Sequence, residues 1–169
     1  MEFDLSIFMG DALLEARRAF SEGEVPVGAV MFDAGGRIIS RAHNQAIRRN
    51  DPTAHAEVLA LRAAGEAIGN YRLTEASLVV TIEPCIMCTG SALNARIRRI
   101  VFGAPDPKAG AVASLFRLAS DVRLNHQIEI VSGIREDECA KLLKDFFLAR
   151  RFGSRSGAAR SNPEESGVH

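Results

Sequence analysis

At the start of the chain the apolar positions Leu5, Phe8, Met9, Ala12, Leu13, Ala16, Ala19 and Phe20 recur three or four residues apart, the spacing that lines one face of an α-helix. Asp4 is available as its N-cap and Gly23 as its stop. Two short β-prone runs, 27–32 and 37–42, flank Asp33-Ala34-Gly35-Gly36. Their glycines suit a tight reversal, so the pair predicts an antiparallel hairpin. Residues 53–64, TAHAEVLALRAA, are rich in helix formers and follow Asp51-Pro52, a helix-start signal. The nearly unbroken apolar run 77–82, SLVVTI, predicts a strand buried on both faces. Helix is then expected over 85–95, strand over 97–102, a short helix over 112–119, strand over 128–131 and a closing helix over 137–152. This order predicts an α/β fold with helices covering both faces of a mixed sheet. After Phe152 the composition becomes GSRSGAARSNPEESGVH, without apolar periodicity. Residues 1–152 therefore read as one domain and 153–169 as a disordered tail.

Composition narrows the class. A chain of 169 residues with 47% hydrophobic positions suits one domain with a substantial core. No apolar run approaches the roughly 18–20 residues of a membrane span. The acidic start Met1-Glu2-Phe3-Asp4 lacks the basic region of a signal peptide. A cytoplasmic protein with no membrane partner is expected. The net charge is zero, 21 basic against 21 acidic residues, so no whole-molecule attraction to nucleic acid is implied. The charge is nevertheless segregated: residues 1–36 carry two basic and seven acidic groups, residues 37–117 eleven and six. If the basic excess forms one face, the acidic segment must lie mainly elsewhere. Arginine supplies 18 of the 21 cations, and its planar fork suits phosphate contacts and stacking.

Three cysteines in a chain without a secretion signal point to metal or redox chemistry rather than a disulfide framework. Two of them form Cys85-Ile86-Met87-Cys88 after Pro84, at the end of the apolar strand, and His55-Ala56-Glu57 opens the preceding helix. One imidazole and two thiolates make three ligands for a tetrahedral Zn²⁺, and a catalytic zinc site differs from a structural one in leaving the fourth position to water. Both ligand sets fall at expected helix N-termini, where unpaired N–H groups and the helix dipole favour thiolate. Glu57, two residues past His55, points about 200° around the helix axis from it, so it does not share the metal vertex. It can stand beside the water instead and carry protons. A Cys-x-x-Cys pair is also compatible with redox chemistry or with half of a structural zinc site. Cys139, in the apolar phase of the closing helix, reads as a core residue rather than a fourth ligand.

The pairing of H-x-E with P-C-x-x-C matches the signature of zinc nucleobase deaminases. Beyond it, EVPVGAV (24–30), DPTAHAEVLALR (51–62), NYRL (70–73), TIEPCIMC (81–88), VFGAPDPKAGA (101–111), LNHQIEI (124–130) and DECAKLLKDFFLARR (137–151) make the chain resemble the bacterial tRNA-specific adenosine deaminases of the cytidine-deaminase-like superfamily. The resemblance covers most of residues 8–152. It implies a three-layer α/β/α sandwich around a five-stranded mixed sheet. It also implies one Zn²⁺ per subunit on His55, Cys85 and Cys88, no organic cofactor, and hydrolysis of the wobble adenosine of a tRNA to inosine and ammonia. Glu57 would move a proton from water to N1 and then to the leaving amine. Asn44 would hydrogen-bond the adenine and the Ala56 backbone would line its pocket. Asp106 and Lys108 would contact the anticodon backbone, and Phe147 and Arg150 would receive flanking nucleotides by stacking and phosphate contact. The expected partners are a tRNA anticodon stem-loop and a second copy of the chain, as a homodimer. One departure is local: where the family commonly has a basic residue before the loop aspartate, Pro105 and Pro107 flank Asp106.

Two other readings use the same motifs. A deaminase of a free base or nucleoside would need the zinc triad and Glu57 but no arginine-bearing surface. A zinc-stabilised RNA-binding module would need the triad alone and would have no use for an uncoordinated carboxylate beside an open vertex.

Overall fold

The computed structural model describes residues 3–158. The first helix, α1, spans Leu5–Ser21, and the Asp4 carboxylate accepts the Ser6 N–H at 3.0 Å as its cap. Its apolar stripe, Phe8, Met9, Ala12, Leu13, Ala16 and Ala19, is buried, and Gly23 (φ 77°) turns the chain out of it. Strands β1 (Gly28–Phe32) and β2 (Ile38–His43) form the expected hairpin. Its turn is tied by the Asp33 carboxylate, which accepts the N–H groups of Gly35 and Arg37 at 2.9 and 3.0 Å. A four-residue helix α2 (Ala46–Arg49), α3 (Ala56–Ile68), β3 (Ser77–Ile82), α4 (Ile86–Asn94), β4 (Arg99–Ala104), a 3-10 turn (Leu118–Ser120), β5 (Glu129–Ser132) and α5 (Glu136–Ala158) complete the order.

The five strands lie in the order β2-β1-β3-β4-β5, with β1 antiparallel to both neighbours and β3, β4 and β5 mutually parallel. Alternation along the strands builds two cores. Ala29, Met31, Leu78, Val80, Ile100 and Phe102 pack with Ala60, Leu61 and Ala64 of α3 and Ala92 of α4. The intervening Val30, Phe32, Val79 and Val101 pack with α1 and with Cys139 of α5. The architecture is the expected three-layer α/β/α sandwich around a five-stranded mixed sheet. Close approach of α1 depends on Gly28, because a Cβ there would overlap the carbonyl oxygen of Ala12 and the backbone nitrogen of Ala16.

Three local expectations are corrected, and one element is added. Residues 112–119 are not a helix. They form turns and end in the 3-10 turn, because the N–H groups of Val112, Ala113 and Ser114 converge on one carboxylate from β3, described below. Strand β4 begins at Arg99 rather than at residue 97; Ile97 is apolar because it is buried in the connection from α4, just after Arg96 at φ 56°. Helix α5 runs past Phe152 to Ala158, into the stretch read as tail. Residues 153–158 contain no proline, so each can add one i→i−4 hydrogen bond. The remainder of the expected tail, 159–169, lies outside the described residues. Helix α2 was not expected, being shorter than any window in which a 3.6-residue period can show.

Candidate metal centre and nucleobase pocket

The parallel strands β3 and β4 open at their C-terminal ends into the loops that carry the site, the usual position in α/β sheets. Helices α3 and α4 both start at this rim. His55 is the N-cap of α3 and Cys85 the N-cap of α4, both with extended backbone, and Cys88 lies one turn into α4, fully buried. The His55 Nδ1 atom is 3.7 Å from Cys85 Sγ and 3.5 Å from Cys88 Sγ. A tetrahedral zinc with ordinary Zn–S and Zn–N bonds would place such atoms about 3.6 Å apart. All three ligand atoms lie within 4.8 Å of one another, and no other group of three acidic, histidine or cysteine side chains among the described residues does so. The donor set fits one zinc ion.

Electrostatics separate the two thiols of the triad. The hydrogen bond from Cys88, followed by that from His55, pulls the Cys85 thiol down to about 4. Sharing that proton with Cys85, and burial, push Cys88 far up. A divalent cation reverses the Cys88 direction, because a coordinating thiol is deprotonated outright. Beside the triad, Glu57 is 3% exposed, and burial raises its carboxyl to about 7. A carboxyl poised there can both take and return a proton near neutrality.

Glu57, His55 and Cys85 line a cavity of about 510 Å³, within the range of small-ligand sites. Val25 and Val27 of the stretch before β1, Ile82 of β3 and Leu143 of α5 give it apolar walls. Asn44, Asp106, Lys108 and Phe147 also line it, so the structure brings four of the expected substrate contacts to one opening. Ala56 is fully buried at the first turn of α3, between His55 and Glu57. Arg150 stacks instead on Phe146, its guanidinium 5.3 Å from the ring centroid.

Two buried carboxylates that the sequence did not single out shape this opening. Glu24, 1% exposed, accepts the N–H groups of Ile47 (3.2 Å) and Arg48 (2.7 Å), fixing α2, and the side-chain amide of Asn44 at 3.5 Å. A carboxylate only accepts, so the Asn44 amide nitrogen faces Glu24 and its carbonyl oxygen is turned away. Glu83, 2% exposed, accepts from the loop 105–114. Burial opposes its charge, but the Ser114 hydroxyl and the loop N–H groups outweigh it and hold the carboxyl below its usual range. The signal for both was an acidic residue bordering an apolar stretch, EVPVGAV and SLVVTIEP. The two prolines beside Asp106 fit the loop. Gly110 N–H bonds the Asp106 carbonyl at 2.8 Å, and the Asp106 carboxylate accepts from Lys108 and Ala109, so the turn requires no N–H from Pro107.

The charge segregation along the sequence is partly cancelled in space. Arg37, Arg41 and Arg48 pair with Asp33, Asp11 and Glu22 of the acidic first segment. Among the described residues that line the cavity, Lys108 is the one lysine or arginine.

A sandwich of this topology with a His/Cys/Cys triad beside a buried glutamate defines a zinc-dependent deaminase domain. Residues 4–104 match the family described as the cytidine and deoxycytidylate deaminase zinc-binding region. The tRNA-specific adenosine deaminase of Haemophilus influenzae is 47% identical over 150 residues, covering 89% of this chain and 86% of that protein. A solved structure from work on A-to-I editing by tRNA:A34 deaminases at the wobble position of transfer RNA superposes with a TM-score of 0.78 at 47% identity, over 81% of this chain and 99% of that one. The guanine deaminase from Nitrosomonas europaea shares the fold, with a TM-score of 0.74 at 22% identity over 83% of each chain. The chain belongs to the bacterial tRNA-specific adenosine deaminase family of the cytidine-deaminase-like superfamily.

Proposed function

We propose that this protein hydrolyses the adenosine at wobble position 34 of a tRNA to inosine and ammonia. The observation that carries the reading is the His55/Cys85/Cys88 triad beside the buried Glu57, with His55, Cys85 and Glu57 lining one cavity of about 510 Å³. The 47% identity to a tRNA-specific deaminase favours tRNA over a free base. Zinc held by the triad supplies Lewis acidity that lowers the pKa of water. Glu57 then acts twice. It takes a proton from the water whose oxygen bonds to C6 and delivers it to N1. It next carries the second proton from that oxygen to N6, so the C6–N6 bond breaks, ammonia leaves and the carboxylate is restored.

The remaining assignments concern recognition. Asn44, oriented by Glu24, hydrogen-bonds the adenine, and the Ala56 backbone borders it. Asp106 and Lys108 contact the anticodon backbone, Phe147 stacks on a flanking base, and Arg150 contacts a phosphate. Pulling one base out of a loop costs a few kcal/mol, less than from a duplex. The protein acts as a homodimer in the cytoplasm with one zinc per subunit. The test is incubation of the zinc-loaded protein with an adenosine-34 tRNA, its guanosine-34 counterpart and free nucleosides, followed by product analysis. Inosine at position 34 alone is the expected result; deamination of guanine or free nucleosides with the tRNA untouched would overturn it.

A further inference from the structure

The Glu83 carboxylate sits as a bound anion would in a nest of backbone amides. Its Oε1 accepts the three successive N–H groups of Val112, Ala113 and Ser114 at 3.1, 2.7 and 2.8 Å. Its Oε2 accepts the Asp106 N–H at 3.0 Å and the Ser114 hydroxyl. Successive N–H groups that converge in this way form a concavity for negative charge, and an ionised acceptor strengthens each bond. Gly110 packs so closely that a Cβ there would overlap the Glu83 carboxyl carbon. The loop is therefore wound around one side chain at the end of β3. Asp106 and Lys108 lie inside the wound segment and face the cavity, with the Lys108 N–H tied to Asp106 Oδ1 at 3.0 Å.

We propose that Glu83 is a positioning residue for substrate capture. Its carboxylate, seated in the amides of 112–114, sets where Asp106 and Lys108 stand at the cavity mouth, and so sets affinity for the RNA rather than the rate of the chemical step. This rests on the reading of Asp106 and Lys108 as RNA contacts. The isosteric variant Glu83→Gln is discriminating, because a carboxamide keeps one acceptor oxygen and turns an NH₂ group against N–H donors.

The test uses the zinc-loaded full chain and the variants Glu83→Gln, Ser114→Ala and Lys108→Ala. Zinc content, hydrogen exchange at the 112–114 amides, and kcat and KM on an adenosine-34 anticodon stem-loop are measured. Glu83→Gln is expected to keep its zinc, exchange faster at 112–114, and raise KM about tenfold, the scale of losing bonds to a charged acceptor. Its kcat stays essentially unchanged, the pattern of lost uniform binding. Ser114→Ala, which leaves β3 and the zinc ligands intact, shifts KM in the same direction by less. Loss of zinc, or a fall in kcat at constant KM, in Glu83→Gln would place its role at the metal ligands and overturn the proposal. Raised KM in Lys108→Ala with none in Glu83→Gln would overturn it while sparing the RNA reading. Unchanged KM in Lys108→Ala would overturn the RNA reading itself. Where Glu83→Gln fails to fold, Ser114→Ala with faster exchange but unchanged KM is the overturning result.

Discussion

His55 Nδ1 lies 3.5 Å from the sulfur of Cys88, although 33 residues and a complete strand separate the two in sequence. Zinc at this contact would staple the start of α3 to α4, so metal binding and folding are linked. Cys88→Ala is expected to lose zinc and to melt lower than the zinc-loaded protein by about 5 °C or more. Treating the wild type with a chelator should bring its Tm towards that of the variant. Elemental analysis and calorimetry check both, and normal zinc content in the variant would remove Cys88 from the ligand set.

Cys139 is expected to be inert. Burial pushes its thiol up to about 11, and its sulfur lies 3.7 Å from Met9 Sδ inside the core. It also fills the space above Gly103, where a Cβ would overlap its sulfur and approach the Thr81 carbonyl oxygen to 2.9 Å. Gly103→Ala should destabilise by about 1–3 kcal/mol through overpacking. Adding Cys139→Ala should recover part of that loss. Denaturant midpoints of the two single variants and the double variant measure the coupling; strict additivity would show that the two residues do not compete for space.

Activity on an anticodon stem-loop should fall with added salt, because phosphate contacts release counterions. The logarithmic slope is about −0.7 per phosphate contacted on single-stranded RNA. Lys108→Ala should make the slope less negative by about one contact. A salt-insensitive kcat/KM would point to a free nucleoside as substrate.

Acid sensitivity has a defined sign at Asp121. The Arg123 side chain and backbone N–H hold its carboxyl at about 2, below its value of roughly 3.9 in an unfolded chain. The folded value is the lower one, so the stabilisation is complete above about pH 4 and is lost as pH falls from there towards 2. An NMR titration of the Asp121 side chain should show a midpoint near 2 that returns towards the unfolded value in Arg123→Ala. A midpoint near 3.9 in the wild type would show that the pair does not hold in solution.

The ligand triad and the sandwich were legible because each follows a local rule. His55 and Cys85 precede apolar helices as N-caps, and the apolar run of β3 marks a strand that is buried on both faces. What escaped the sequence depends on contacts between distant segments. Glu24 and Glu83 look like ordinary acidic residues until α2 and the 105–114 loop fold onto them from 20 to 31 residues away. The same contacts explain the misplaced helix at 112–119, whose apolar residues are held by a carboxylate rather than by a helical ladder. The basic excess of 37–117 was visible as a count, but its pairing with Asp11, Glu22 and Asp33 was not.

The most direct measurement compares the protein with Glu57→Gln, zinc content and inosine at position 34 being determined on the same preparations. Glu57 stands beside the triad without belonging to it, so the variant should carry the wild-type amount of zinc and form inosine about 10²–10⁴ times more slowly. Undiminished inosine formation by zinc-loaded Glu57→Gln would contradict the proton-carrying role at the centre of this account.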